Sequence, residues 1–269
     1  MQLRRYRRER YELWQTAPAL CDTITTIDCY IPENKCSDAA IIIFPGGGYR
    51  GRAAHEGEGY SLFFNEHGIT AFTVNYHVEP STFPMQLLDA RRAIRWVRAN
   101  ADKFGINPER IAVMGSSAGG HLAALVSTYQ KEIACENLDN IDKQNHLPNA
   151  QILCYPVIEQ PGMEGVSHAA SYLRLIGGQN PEMETELNPA KNVSGNTPQA
   201  FIWHTAEDKG VNVINSYIYA TALRKFEVPV ELHVFPDGRH GLGLARELPH
   251  TAQWTGLLLN WLTRLGWLI

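Results

Sequence analysis

The chain is 269 residues long, 44% hydrophobic and 19% charged, and 24 Lys+Arg against 28 Asp+Glu leave a net charge of −4. Such a chain can fill a sizeable globular core, and its mild acidity argues against a nucleic-acid binder. No stretch approaches the roughly 18 consecutive apolar residues of a membrane span, and five cysteines without a Cys-x-x-Cys pair point to a reduced chain with no metal site.

Residues 1–23 carry Arg4, Arg5, Arg7, Arg8 and Arg10 interleaved with Glu9 and Glu12, with little periodicity. They read as a solvated arm. No apolar core follows the charged start, so no leader peptide is read and a cytoplasmic location is expected. Ile24–Ile31 alternates apolar and polar residues, as an edge strand with one wet face does. Ala39–Phe44 is a continuous apolar run, the pattern of a strand buried on both faces. Pro45-Gly46-Gly47-Gly48-Tyr49 then closes that strand. A phosphate loop is the rival reading, but no Gly-Lys-Ser/Thr ending follows, and an oxyanion-binding loop is preferred. His55-Glu56-Gly57-Glu58 reads equally well as a polar cluster lining or pinning that loop and as an acidic helix start.

Tyr60–His67 is expected as a helix ended by Gly68, Ile69–Tyr76 as a strand, and Glu79–Pro84 as a loop. Gln86–Asp102 has apolar residues at helical spacing, with arginines assigned to the other face. Arg110–Met114 reads as a buried strand and Ala118–Tyr129 as a helix, with Gly115-Ser116-Ser117-Ala118-Gly119 between them. Strand, Gly-x-Ser-x-Gly and helix together make a nucleophile elbow with Ser117 at its apex, and the flanking glycines meet the need for tiny neighbours. Lys131–Asn149 is a polar excursion, Gln151–Ile158 a strand, and 159–198 an irregular, cap-like insertion with a helix near Ser167–Leu175. Ala200–Thr205 and Val230–Phe235 are strands, and Asn215–Phe226 and Glu247–Leu265 are helices. The alternation predicts one α/β domain over 1–269, with a doubly wound, mostly parallel sheet.

A serine nucleophile needs a base, and the base needs an orienting acid. Asp208 follows the strand ending at Thr205, and His240 lies in a glycine-flanked loop after Phe235, both at strand ends where an open α/β sheet builds sites. Asp208 is preferred over Glu207 and Asp237. His121 and His204 are assigned to structure, and His168, in the cap, to substrate contact. Ser116 is taken to point away from the apex.

The elbow with Gly120-His121-Leu122-Ala123, the Pro-Gly-Gly-Gly-Tyr loop with His55-Glu56-Gly57, the turn 204–208 and His240-Gly241-Leu242-Gly243-Leu244-Ala245 together resemble one family. It is the α/β-hydrolase esterases related to hormone-sensitive lipase, in the branch labelled acetyl-xylan esterase or xylanase-like. The resemblance covers about residues 35–265. It implies Ser117 as nucleophile, His240 as base and Asp208 as acid. It also implies an oxyanion hole from the N–H groups of Gly47, Gly48 and Ala118. Substrate contacts are expected at Tyr49, His55 and His168. No cofactor is implied. The expected partner is a small ester, an acetylated xylose-type sugar, with no nucleic acid or membrane and with homo-oligomerisation left open. Amide or peptide hydrolysis, general carboxylesterase activity and a non-catalytic binding module on the same fold are the alternatives. Two departures stand out: Pro45 replaces the His of the wider family, and Asn212 stands where a Pro is usual, so a looser turn after Asp208 is expected.

Overall fold

A computed structural model describes residues 6–15, 23–133 and 139–268. Its centre is β3 (Ala40–Phe44), in which every residue is buried. Ala40, Ile42 and Phe44 face one core, and Ile41 and Ile43 face the other. A strand with two apolar faces needs helices on both sides, which is why an alternating βα chain layers in this way.

Eight strands form one sheet, in the order β1-β2-β4-β3-β5-β6-β7-β8. The outer pair is β1 (Tyr6–Glu12) and β2 (Thr26–Pro32), followed by β4 (Thr70–Asn75). These pair antiparallel, β1 with β2 and β2 with β4. From β4 and β3 onward through β5 (Ile111–Ser116), β6 (Ala150–Cys154), β7 (Gln199–Thr205) and β8 (Val230–Phe235), all pairings are parallel. One core packs under α2 (Met85–Ala99), the short α3 (Ala101–Phe104), α4 (Ala118–Thr128) and α7 (Ile214–Lys225). The other lies under α1 (Ala54–Glu66) and α8 (Trp254–Arg264), where Trp203 and Trp254 stack with centroids 4.7 Å apart. The insertion 159–198 holds two short helices, α5 (Ala169–Ile176) and α6 (Pro181–Glu186).

Several expectations are corrected. Within the predicted arm, residues 6–12 form β1, so the edge belongs to β1 and not to β2; residues 1–5 and 16–22 of that arm lie outside the described residues. The basic cluster is exposed, as expected, but also anchored: Arg10 forks onto Asp28 at 2.7 and 2.8 Å, and Arg8 reaches the same carboxylate at 3.3 Å. The arginines of α2 are not on a wet face either, since Arg91, Arg92 and Arg95 are buried. Arg92 binds Asp139, Asp142 and the Leu13 carbonyl, and Arg91 binds the carbonyls of Tyr129 and Lys131. They fasten the polar excursion to the helix; residues 134–138 of it lie outside the described residues. α1 begins at Ala54, ahead of the expected Tyr60, and α8 begins at Trp254, after the expected Glu247. β6 stops at Cys154 because Tyr155 turns to a φ of +38° and Pro156 follows.

Candidate active site

Ser117 sits between β5 and α4 with φ 54° and ψ −120°. A serine with positive φ is strained, and the fold holds it on both sides. Its N–H donates to the Cys154 carbonyl at 3.0 Å, and its own carbonyl accepts from His121 and Val157. The turn is too tight for larger neighbours: a Cβ at Gly115 would lie 2.0 Å from the Gly119 carbonyl oxygen, and one at Gly119 would lie 2.0 Å from that of Phe44.

The parallel sheet aims three other strand ends at this apex. Asp208 follows β7 and His240 follows β8. The His240 Nε2 lies 2.8 Å from Ser117 Oγ, and its Nδ1 lies 2.7 Å from Asp208 Oδ2. Asp208 accepts only, so Nδ1 carries the proton and Nε2 is left as acceptor for the serine hydroxyl. Asp208 Oδ1 accepts from the N–H groups of Gly210 and Val211 at 2.8 and 2.9 Å. Burial pushes the Asp208 carboxyl up, but bonds from His204, His240 and the Val211 N–H outweigh it and hold the group well below the usual carboxylate range. Glu207 and Asp237, its rivals, are exposed. The turn after Asp208 is not loose: Asn212 accepts from the Ile214 N–H at 3.0 Å and donates to the Gly165 carbonyl at 2.9 Å.

The glycine loop after β3 lies against the elbow, for a Cβ at Gly46 would come 3.1 Å from Ser117 Cβ. Gly47 and Gly48 have φ values of +138° and +62°, which suit glycine. The N–H groups of Gly47, Gly48 and Ala118 donate to no protein acceptor among the described residues. Ala118 opens α4, where a backbone N–H and the positive helix end favour an anion.

Of the expected substrate contacts, Tyr49 is corrected. It is 1% exposed, and its hydroxyl lies 2.7 Å from His121 Nδ1, so it supports the loop from below. His55 is exposed and rests on the loop that carries His240, its Nε2 3.0 Å from the Gly241 carbonyl. His168, just ahead of α5, bonds Ser171 Oγ at 2.8 Å; burial, with His240 and Arg174 nearby, lowers its pKa. His204 is buried as expected, but its Nε2 also comes within 3.3 Å of Asp208 Oδ2. Ser116 turns from the apex to bond Tyr60 at 2.9 Å.

The sequence reading missed Tyr155, whose ring centroid lies 5.2 Å from that of His240, and Arg174, which reaches over the loop to the Gly48 carbonyl at 3.4 Å. A tyrosine directly after a strand and before a proline was the available signal for the first. Nothing local marked the second, because the insertion's path is set by tertiary packing. Among the described residues, no group of His, Cys, Asp and Glu has the arrangement to hold a metal ion.

Known proteins share this architecture. Residues 27–223 match the BD-FAE family. The acetyl ester-xyloside bifunctional hydrolase of Caldicellulosiruptor lactoaceticus superposes with a TM-score of 0.89 at 40% identity, over 97% of both chains. The acetylxylan esterase of Xylanibacter ruminicola is 33% identical over 87% of this chain and 47% of its own length. Endo-1,4-beta-xylanase B of Butyrivibrio fibrisolvens is 33% identical over 90% of this chain and 39% of its own length. The chain thus spans less than half the length of these two curated relatives.

Proposed function

The chain belongs to the BD-FAE family, within the α/β-hydrolases related to hormone-sensitive lipase, and from that premise we propose that it is a serine esterase that removes short acyl groups, acetyl above all, from sugar hydroxyls. The observation that carries this reading is the unbroken line Ser117 Oγ, His240 Nε2, His240 Nδ1, Asp208 Oδ2, set beside free backbone donors.

In this reading Ser117 Oγ attacks the ester carbonyl carbon while His240 Nε2 takes its proton. The carbonyl oxygen becomes an oxyanion facing the N–H groups of Gly47, Gly48 and Ala118. Such donors, fixed before the reaction, stabilise charge that exists only in the transition state and intermediate. The tetrahedral intermediate collapses, the C–O bond to the alcohol breaks, and the imidazolium returns the proton to the leaving oxygen. A water molecule repeats the sequence on the acyl-enzyme and frees the acid. Asp208 stays ionised throughout and steadies the imidazolium.

The acetyl preference rests on the insertion 159–198 being short, with α5 close over the glycine loop, and on the likeness to an acetylxylan esterase and an acetyl ester-xyloside hydrolase. A glycoside-cleaving role would call for two carboxyl groups flanking the bond, whereas the residues gathered here serve acyl transfer.

The test is hydrolysis of p-nitrophenyl acetate, butyrate and octanoate, beside acetate release from acetylated xylo-oligosaccharides. Turnover should be highest on acetate and collapse towards octanoate, the oligosaccharides should lose acetate, and Ser117→Ala should lower kcat by about 10⁴-fold or more. Full activity in Ser117→Ala would overturn the mechanism, and rates rising towards octanoate without sugar deacetylation would overturn the substrate class.

A further inference from the structure

Glu56 lies in the first turn of α1 and is 2% exposed. Burying a carboxyl group is costly unless strong bonds compensate. Capping does not account for it, because the N–H of the N-cap residue Ala53 donates to the Gly46 carbonyl at 2.8 Å. Its two oxygens instead reach the two loops that converge on Ser117. Oε2 accepts the Gly46 N–H at 2.8 Å, directly ahead of Gly47 and Gly48. A Cβ at Gly46 would sit 2.6 Å from that oxygen, so only a glycine allows the approach. Oε1 accepts the Tyr155 hydroxyl at 2.7 Å. That hydroxyl in turn accepts the Gly243 N–H at 2.9 Å, in the loop that carries His240, and the Tyr155 ring packs against the imidazole. The neighbouring His55 holds the same loop at Gly241.

We propose that Glu56 is a positioning residue that fixes the backbone donors through Gly46 and the base through Tyr155, so that both meet the reacting carbonyl in register. This rests on the serine-esterase reading. A glycine loop left to itself has wide conformational freedom, and donors displaced by a fraction of an ångström lose much of their effect on the oxyanion. Glutamine in place of Glu56 preserves the arrangement. Its amide oxygen accepts from Gly46 and its amide N–H donates to Tyr155. The Tyr155 hydroxyl then donates to that of Tyr60, 3.2 Å away, and Tyr60 to Ser116, 2.9 Å further. Each hydroxyl both donates and accepts, so the chain can reverse direction.

The experiment measures kcat and KM on p-nitrophenyl acetate, with melting temperatures, for the wild type, Ser117→Ala, Glu56→Ala, Glu56→Gln and Tyr155→Phe. Glu56→Ala should lower kcat by about 10²-fold with KM within about threefold of wild type, and Glu56→Gln should recover to within about tenfold. Tyr155→Phe, which keeps the Gly46 bond and releases Gly243, should lower kcat by less than Glu56→Ala does. Wild-type kcat in Glu56→Ala, with Ser117→Ala inactive, overturns this proposal and leaves the esterase reading standing. Equal losses in the alanine and glutamine variants also overturn it. If Glu56→Ala does not fold, unchanged kcat in Tyr155→Phe overturns it. Activity retained in Ser117→Ala removes the serine reading and this proposal with it.

Discussion

His121 shows how one side chain is fixed by its partners. It is 1% exposed, with Nε2 3.0 Å from the Leu187 carbonyl and Nδ1 2.7 Å from the Tyr49 hydroxyl. A carbonyl only accepts, so Nε2 carries the proton and Nδ1 accepts from Tyr49. Adding a second proton would break the Tyr49 bond and place a charge in the core. Burial accordingly pushes the imidazole pKa down from 6.5 to about 4. The unfolded chain takes up this proton first, so stability is full above pH 6.5 and falls as pH drops towards about 4. Unfolding midpoints measured across that window should decline in the wild type. They should decline less steeply in His121→Gln, which starts from lower stability at neutral pH. An unchanged slope would show that other groups drive the acid response. The elbow was legible at this scale for a related reason. Ser117 needs tiny neighbours at Gly115 and Gly119, a demand written within five consecutive residues. Tyr49 was misread because adjacency in sequence to the glycine loop does not say which side of the loop a ring occupies.

At the scale of elements, β3, β4, β5 and β7 were visible from their apolar content, because strands covered on both faces carry their own signature. β1 and the buried side of α2 were not, because charge normally marks solvent. In both, the arginines are buried or bonded by partners distant in sequence: Asp28 for Arg8 and Arg10, and Asp139 and Asp142 for Arg92. No local pattern reports such a partner. The pairing has an energetic consequence. Asp142 is 3% exposed, so removing the guanidinium leaves its charge in the interior without that partner. Arg92→Met is expected to destabilise the protein by about 3–5 kcal/mol, read from denaturant unfolding. A loss well under 1 kcal/mol would mean that the excursion holds its place without the arginine. The Glu56 network was half legible, since the cluster after the glycine loop was read as either a loop pin or a helix start. It is both, and one turn of α1 serves each.

At the scale of the molecule, the site sits where the sheet changes direction of growth. β3 lies between β4 and β5: from β3 the chain places β4 on one side, then crosses to β5 and builds outward to β8 on the other. The C-terminal ends of β3, β5, β7 and β8 then supply the glycine loop, Ser117, Asp208 and His240. This follows from the parallel arrangement, which gathers all strand exits on one edge. It is why Ser117, Asp208 and His240, far apart in sequence, come within hydrogen-bond reach of one another.

The antiparallel strand β1 bears on how the protein behaves in a concentrated solution. A sheet that ends in a strand with bare peptide groups is a template for another copy of itself. β1 meets β2 residue for residue, from Tyr6 opposite Pro32 to Glu12 opposite Thr26, and carries exposed charged residues at Arg7, Arg8, Arg10 and Glu12. The β2 strand beneath it carries buried Ile27, Cys29 and Tyr30. Deleting residues 1–12 would leave that strand as the border. The shortened protein should then scatter light increasingly with concentration and time, where the full chain stays clear; equal clarity in both would mean that β2 needs no cover. On that expectation, charge at the margin of the sheet guards against self-association, at a place remote from the strand ends that gather Ser117, Asp208 and His240.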